Sequence, residues 1–210
     1  MSYITDSYAL SGETLVKQFK KRNMEAFYCA TKEEAKEKIL SMIPNGSSVT
    51  WGGTESMEEA GVCEAIRQGD YEFIDRKKAK APEESRALYG QIVCADYFLT
   101  SSNAFTKDGI LVNIDGASNR VACIAHGPAH VIFLISMDKL CANVDEIDRI
   151  HTHACPPNAL RVKANTPCSK TGVCADCLSP DCICCQTLIT RFSRMPDRIK
   201  VVLCGEKLGF

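Results

Sequence analysis

Short apolar runs alternate with capped, helix-period segments along almost the whole chain, and this alternation constrains the fold more than any other feature. A strand that reads as continuously apolar must be covered on both faces, and helices between such strands supply the cover. The pattern calls for an α/β domain with a largely parallel sheet. Residues 14–22 read as a helix, 26–30 as a strand, and Thr31-x-x-Glu34 as the capping box of a helix ending near Met42. Strands at 47–51 and 71–75 flank an amphipathic helix that leaves the loop Gly52-Gly53-Thr54-Glu55-Ser56 and ends near Gln68. A helix after Pro82, strands at 97–100 and 110–114, a helix at 119–125 and a buried central strand at 130–136 follow. Asn143 with Glu146 opens a further helix, expected to stop at Pro156 and Pro157. The run 199–204 is one more strand, so residues 1–210 read as one α/β domain with a cysteine-rich segment, 165–190, inserted before the last strand.

The formal net charge of -1 offers no broad positive field for phosphate backbones, so nucleic acid is not an expected partner. Lys77, Lys78 and Lys80 read as a solvated helix start. No apolar run reaches the roughly 20 residues that span a bilayer, and the N-terminal stretch lacks the apolar core of a leader, so a cytoplasmic protein is expected. In a reducing compartment thirteen cysteines point to metal or redox chemistry rather than to disulfides. Cys29, Cys94, Cys123 and Cys204 lie in apolar runs and are expected to act as small core hydrophobes.

Six of the other nine cysteines are concentrated. Cys168, Cys174, Cys177, Cys182, Cys184 and Cys185 fall within one short stretch broken by Pro167, Gly172, Ser179 and Pro180, which favour the irregular backbone usual for thiolate ligation. Cys168, Cys174, Cys177 and either Cys182 or Cys184 can surround one ion or cluster, because the Cys174-x-x-Cys177 turn aims two thiolates at one point. His151 and Cys155 stand four apart on an expected helix face, but a surface histidine at a helix end accounts for them. His126 and His130 are assigned no role.

Two further stretches carry polar chemistry. Gly52 and Gly53 allow backbone amides to approach a phosphate or carboxylate at the start of a helix, unless the loop is only a tight turn capped by Thr54 or Ser56. Residues 101–120 combine Asn, Asp, Ser and Arg at strand ends, where open α/β sheets bind ligands, although Asp108-Gly109 also suits a hairpin turn. Within that stretch Asp115 and Arg120 are the expected pair to fix and polarise a small anionic substrate.

The segments ADYFLTSSNAFTKDGILVNIDGASNRVACIAHGPAHVIFLI, WGGTES and TPCSKTGVCADCLSPDCIC with RIKVVLCGEKLGF together resemble the LUD-domain family of lactate-utilisation, LutC-like proteins. The resemblance implies a NagB/RpiA/CoA-transferase-like three-layer sandwich, distantly related to sugar-phosphate isomerases and formyltetrahydrofolate cyclo-ligases. It also implies a link to oxidation of lactate or a related small acid, within an iron–sulfur-containing complex of lactate-utilisation subunits. By position it carries over the glycine loop (Gly52, Gly53, Thr54, Glu55, Ser56), the polar signature Asn103, Thr106, Asp108, Gly109, Asn113, Asp115, Asn119 and Arg120, and the cysteines Cys168, Cys174, Cys177 and Cys184. Asn158 and Arg161 match as well. The chain departs from the family's larger members in lacking paired ferredoxin-type cysteine runs, and Cys182 and Cys185 are extra.

The leading expectation is therefore an accessory redox protein of small-acid catabolism that binds a small anionic metabolite, with Asp115 and Arg120 at the chemistry and a [4Fe–4S] cluster on Cys168, Cys174, Cys177 and Cys184. Association with other lactate-utilisation subunits or with further copies of itself fits that setting. One rival is a non-redox isomerase or acyl transferase with structural zinc, in which Asp115 or Glu55 performs acid–base work. The other is a ligand-sensing subunit without catalysis.

Overall fold

A computed structural model describes residues 3–210, the side chain at 147 excepted. Six parallel strands form the main sheet in the order β1 (Glu25–Cys29), β10 (Ile199–Cys204), β7 (His130–Ser136), β4 (Tyr97–Thr100), β2 (Ser48–Trp51) and β3 (Glu72–Phe73). Along β7 the side chains alternate between two cores. Val131, Phe133 and Ile135 join residues of α1 (Tyr3–Lys21), α5 (Pro82–Val93) and α6 (Asn119–Ala125). Ile132 and Leu134 join α2 (Lys32–Ser41), α3 (Glu55–Glu59) and α4 (Val62–Gln68). The sheet is thus buried on both faces, which is why its strands read as apolar runs, and the molecule is the expected three-layer α/β sandwich.

A smaller sheet, β8 (Leu140–Cys141), β5 (Ala104–Thr106), β6 (Leu111–Asp115) and β9 (Gln186–Thr190), lies against one of these cores. Its period-2 alternation sends Leu111 into the main core, while Val112 and Ile114 pack with Ile150 of α7 (Asp148–His153) and Cys155 of α8 (Cys155–Arg161). β9 pairs antiparallel with β6, Asp115 opposite Gln186, and so ties the end of the cysteine-rich segment to the polar stretch. That segment begins with α9 (Pro167–Thr171), capped by Thr166 and Ser169, and is irregular up to β9.

Several expectations need correction. The first helix starts at Tyr3, because its early turns are exposed and carry little apolar period to read. The helix after the glycine loop is two helices, broken where Gly61 takes a φ of 70°. Pro156 and Pro157 open α8 instead of only ending α7, since the first turn of a helix needs no N–H from them. Cys94 caps the C-terminus of α5 and is exposed, whereas Cys29, Cys123 and Cys204 are buried as expected. The Thr31 cap is present, its hydroxyl accepting from Glu34 N, while the Glu34 carboxylate accepts from Ala30 N at 2.8 Å.

Candidate functional site

A polar cavity of about 300 Å³ opens at the C-terminal ends of the main-sheet strands, the place where open α/β sheets bind ligands. Gly53, Thr54, Glu55 and Ser56 reach it after β2, Ser101, Ser102 and Asn103 after β4, and Lys139 after β7. Asp115, Gly116, Asn119 and Arg120 come from the end of β6 and the start of α6, and Asn158 and Arg161 from α8.

Arg120 builds one wall. Its Nη1 donates to Asn113 Oδ1 at 2.8 Å and to the Ser101 carbonyl at 3.1 Å. Its Nη2 donates to Asn103 Oδ1 at 2.8 Å and to the Ile114 carbonyl at 2.6 Å. The remaining donor, Nε, faces Asp115 Oδ2 at 3.8 Å. Burial pulls the guanidinium pKa below its usual value, and Asp115 pushes back. Asp115 meanwhile accepts from the backbone N–H groups of Ala117, Arg120 and Val121, bracing the start of α6. Both terminal nitrogens of Arg120, expected with Asp115 to fix a small anionic substrate, are thus already engaged by acceptors of the protein itself.

The open cationic edge belongs to Arg161, which sequence reasoning placed only by resemblance. Asn158 Oδ1 accepts from its Nε and Nη2 at 2.9 and 2.6 Å, and Glu55 Oε1 lies 3.5 Å from Nε. Nη1 has no hydrogen-bond partner among the described residues, and Arg161 lines both this cavity and a neighbouring one. A Cβ at Gly53 would come within 2.8 Å of the Arg161 guanidinium, which would have to shift to admit it. Lys139 also lines the cavity, 7% exposed, and burial first and Arg120 second lower its pKa to about 8 against the pull of Asp138 and Glu59. The buried Thr54 Oγ1 and Asn113 Nδ2 have no hydrogen-bond partner among the described residues.

Thr106, Asp108 and Gly109 lie elsewhere. They form the β5–β6 hairpin, in which Gly109 (φ 84°) packs its backbone on α1 and Arg22 Nη2 pairs with Asp108 Oδ2 at 2.7 Å. The hairpin reading of Asp108-Gly109 holds, and these residues do not reach the cavity.

A second cavity, about 370 Å³, is lined by Cys168, Cys174, Cys177 and Cys184 together with Cys155, Cys182, Cys185 and His151. The ligating atoms of His151, Cys155 and Cys184 lie within 4.8 Å of one another, so the pair set aside as a helix end is drawn inward. Cys174 Sγ is 3.8 Å from His151 Nδ1, and Cys182 Sγ is 3.3 Å from Cys184 Sγ. Burial, then neighbouring Cys168 and Cys174, raise the Cys155 thiol to about 11. Sulfur and imidazole donors suit zinc or iron and not the oxygen-seeking Mg²⁺ or Ca²⁺, so the lining fits a thiolate-bound metal centre. The two cavities share Ile183, and the backbone of Cys182 and Ile183 packs so closely on Gly116 that a Cβ there would meet Ile183 Cα at 2.8 Å.

Among the described residues no helix is long and apolar enough to cross a membrane. A crystal structure of a DUF162 family protein from Deinococcus radiodurans shares the fold, with a TM-score of 0.54 at 12% identity over 93% of this chain and 97% of that one. Weaker likenesses are to eIF2B delta from Chaetomium thermophilum (TM-score 0.37, 13% identity, 65% of this chain and 52% of that one) and to ribose 5-phosphate isomerase A from Neisseria gonorrhoeae (0.34, 12%, 55% and 56%). No curated protein matches by sequence. The sequence profile of the LUD domain matches residues 12–204, and with nearly the whole length covered, the chain belongs to the LUD-domain family, a family associated with lactate utilisation.

Proposed function

We propose that the protein is an accessory redox component in the utilisation of lactate or a related small acid, binding a small carboxylate- or phosphate-bearing metabolite in the polar cavity beside a thiolate-held metal centre. The observation that carries this reading is the open edge of Arg161 together with buried Lys139 in one cavity at the sheet's C-terminal end. Arg161 and Lys139 receive the anion. Arg120 and Asp115 act as positioning residues that hold Asn103 and the start of α6 in place. Cys168, Cys174, Cys177 and Cys184 would hold a [4Fe–4S] cluster, which supplies one-electron transfer when bound. The shared Ile183 and the contact with Gly116 would set that centre against the polar wall.

One observation favours a second reading. Donor atoms within 4.8 Å suit a single ion better than the wider spacing of cluster ligands, so His151, Cys155 and Cys184, completed by Cys174 or Cys182, would hold zinc. The chain is then a non-redox isomerase or acyl transferase with Glu55 as acid–base residue, or a ligand-sensing subunit. Anaerobic purification with iron, sulfide and zinc analysis separates the readings. Iron and sulfide in equal amounts support the first, and stoichiometric zinc in a colourless protein supports the second. Thermal-shift screening against phosphate, sugar phosphates, CoA and small hydroxy acids tests the anion site, and stabilisation by none of them removes it.

A further inference from the structure

Three basic side chains with no more than a tenth of their surface exposed, Lys139, Arg198 and Lys200, can be compared within this one molecule. Lys200 Nζ is paired with Glu25 Oε2 at 2.7 Å. Arg198 donates to the carbonyls of Ile124 and Cys123 at 2.7 and 3.0 Å. Lys139 has neither kind of partner. Its Nζ makes one long contact, 3.4 Å to Ser101 Oγ, and forms no ion pair among the described residues. An ammonium buried this way is strongly disfavoured unless it loses its proton or meets a ligand.

The surroundings suit the neutral amine. Ser101 Oγ is also 3.4 Å from Ser56 Oγ, which gives a short chain of two hydroxyls beside Nζ. Asp138 and Glu59 favour the charged form, while burial and Arg120 outweigh them and leave the pKa about 8. At neutral pH such a lysine holds on the order of a hundred-fold more free amine than an exposed one. Lys139 shares its cavity with the open Nη1 edge of Arg161.

We infer that Lys139 is a nucleophilic lysine that condenses with the carbonyl of a small carboxylic acid bearing an aldehyde or ketone, forming an imine in the polar cavity. This rests on the anion-binding reading, because Arg161 holds the carboxylate while the carbonyl carbon faces Nζ. The nitrogen lone pair forms the new C–N bond, and the carbonyl π pair moves to oxygen, which takes up a proton relayed from the amine by Ser101. The carbinolamine then loses its oxygen as water while nitrogen gives up its last proton and closes the C=N bond. One amine and one carbonyl give one imine and one water, with no oxidant or reductant consumed.

The test uses the full chain with glyoxylate or pyruvate as probe, trapped with sodium borohydride and mapped by peptide mass spectrometry. The expected result is one stable adduct per chain, at Lys139, formed on the order of ten-fold or more faster than at any surface lysine such as Lys77 or Lys78. It disappears in Lys139→Met, and its formation in Arg161→Met requires much higher probe concentration. Adducts scattered over surface lysines, unchanged in Lys139→Met, overturn the proposal; mapping of the wild type alone decides the same point should the variant not fold. Thermal shifts with unreduced pyruvate and with inorganic phosphate keep the two ideas apart. Stabilisation that depends on Arg161 without a Lys139 adduct overturns the imine and leaves the anion site standing. A Lys139 adduct without any such stabilisation sustains the nucleophile and removes the Arg161 clamp.

Discussion

The two cavities on either side of Ile183 are ordered by different means. The polar wall is a dense network: four Arg120 hydrogen bonds of 2.6–3.1 Å and three backbone donors on Asp115 hold it, with Asn113 Nδ2 left over. Around the cysteine cavity the side-chain contacts are mostly to sulfur, such as Cys174 with His151 at 3.8 Å, beside a few loop anchors such as Asp181 accepting from Asn165 N at 3.1 Å, and the segment exposes Val173 and Leu178. Buried hydrogen bonds between charged and neutral groups hold a site without a ligand, whereas sulfur contacts are weaker, so a metal bound in the second cavity would add to its order. One site is preorganised by the protein, and the other has the lining of a candidate metal site.

The largest effect that can break this contrast comes from Arg120. Arg120→Met leaves Asp115 and the side-chain oxygens of Asn103 and Asn113 without their shared partner, and is expected to cost about 3–5 kcal/mol of folding stability. Urea unfolding measures it, and a loss below about 1 kcal/mol would mean that Arg120 does not hold the wall together.

Lys139 gives the next largest. Its folded pKa of about 8 lies below the ordinary 10.5, so between these values the unfolded chain binds more protons and stability rises with pH. The penalty is fully present below pH 8 and gone above 10.5, a change on the order of 3 kcal/mol in the wild type that Lys139→Met should lack. Buried thiols titrate in the same range, so the difference between the two pH–stability curves is the informative quantity. Parallel curves sink the assignment of a depressed pKa.

For the cysteine cavity the expected effect is local. Cys155→Ser with Cys184→Ser should abolish stoichiometric metal and speed proteolysis within 172–183, while moving the global transition by only about 1 kcal/mol. Cys184 belongs to both sets, so Cys155→Ser alone tells them apart: metal retained there and lost in Cys168→Ser with Cys177→Ser favours the four-cysteine centre over the one that includes His151. Because bound thiolates must shed protons and Cys155 titrates near 11, affinity should rise with pH.

The main sheet is legible in the sequence because doubly covered parallel strands read as apolar runs, and 97–100, 130–136 and 199–204 match β4, β7 and β10 without adjustment. The smaller sheet mostly is not. β5 and β8 are three and two residues long, and β9, QTLIT, is half-exposed and fixed by long-range pairing with β6. Of the residues that glycine and Asn/Asp density singles out, Gly53, Asn103, Asp115 and Asn119 line the polar cavity, but which arginine is spent on its wall depends on contacts between β4, β6 and α6 that no local pattern encodes. Lys139 is a lone lysine after a strand. Its one sequence signal is position, just past the C-terminal end of a buried parallel strand, where the sheet's ligands are expected. His151 and Cys155 read as one helix, yet they meet Cys184 from consecutive helices, with Pro156 starting the second.

The smallest effect on stability, and the sharpest on binding, is expected at Arg161. Its contacts with Asn158 and Glu55 lie at the edge of the cavity, the ion pair is 3.5 Å long, and both partners are about a third exposed, so removing it should change stability by less than about 1 kcal/mol. The same removal strips the cavity of its open guanidinium edge. Arg161→Met should therefore keep the wild-type melting temperature without ligand while losing most of the stabilisation by phosphate or hydroxy acids. Arg161→Lys should recover only part of it, because an ammonium restores charge without the planar pair of donors. Set beside Arg120→Met, which should damage folding and binding together, this variant isolates the ligand's share of the site. Equal loss of melting temperature in the two variants would show that both arginines belong to one structural network and that the anion binds elsewhere.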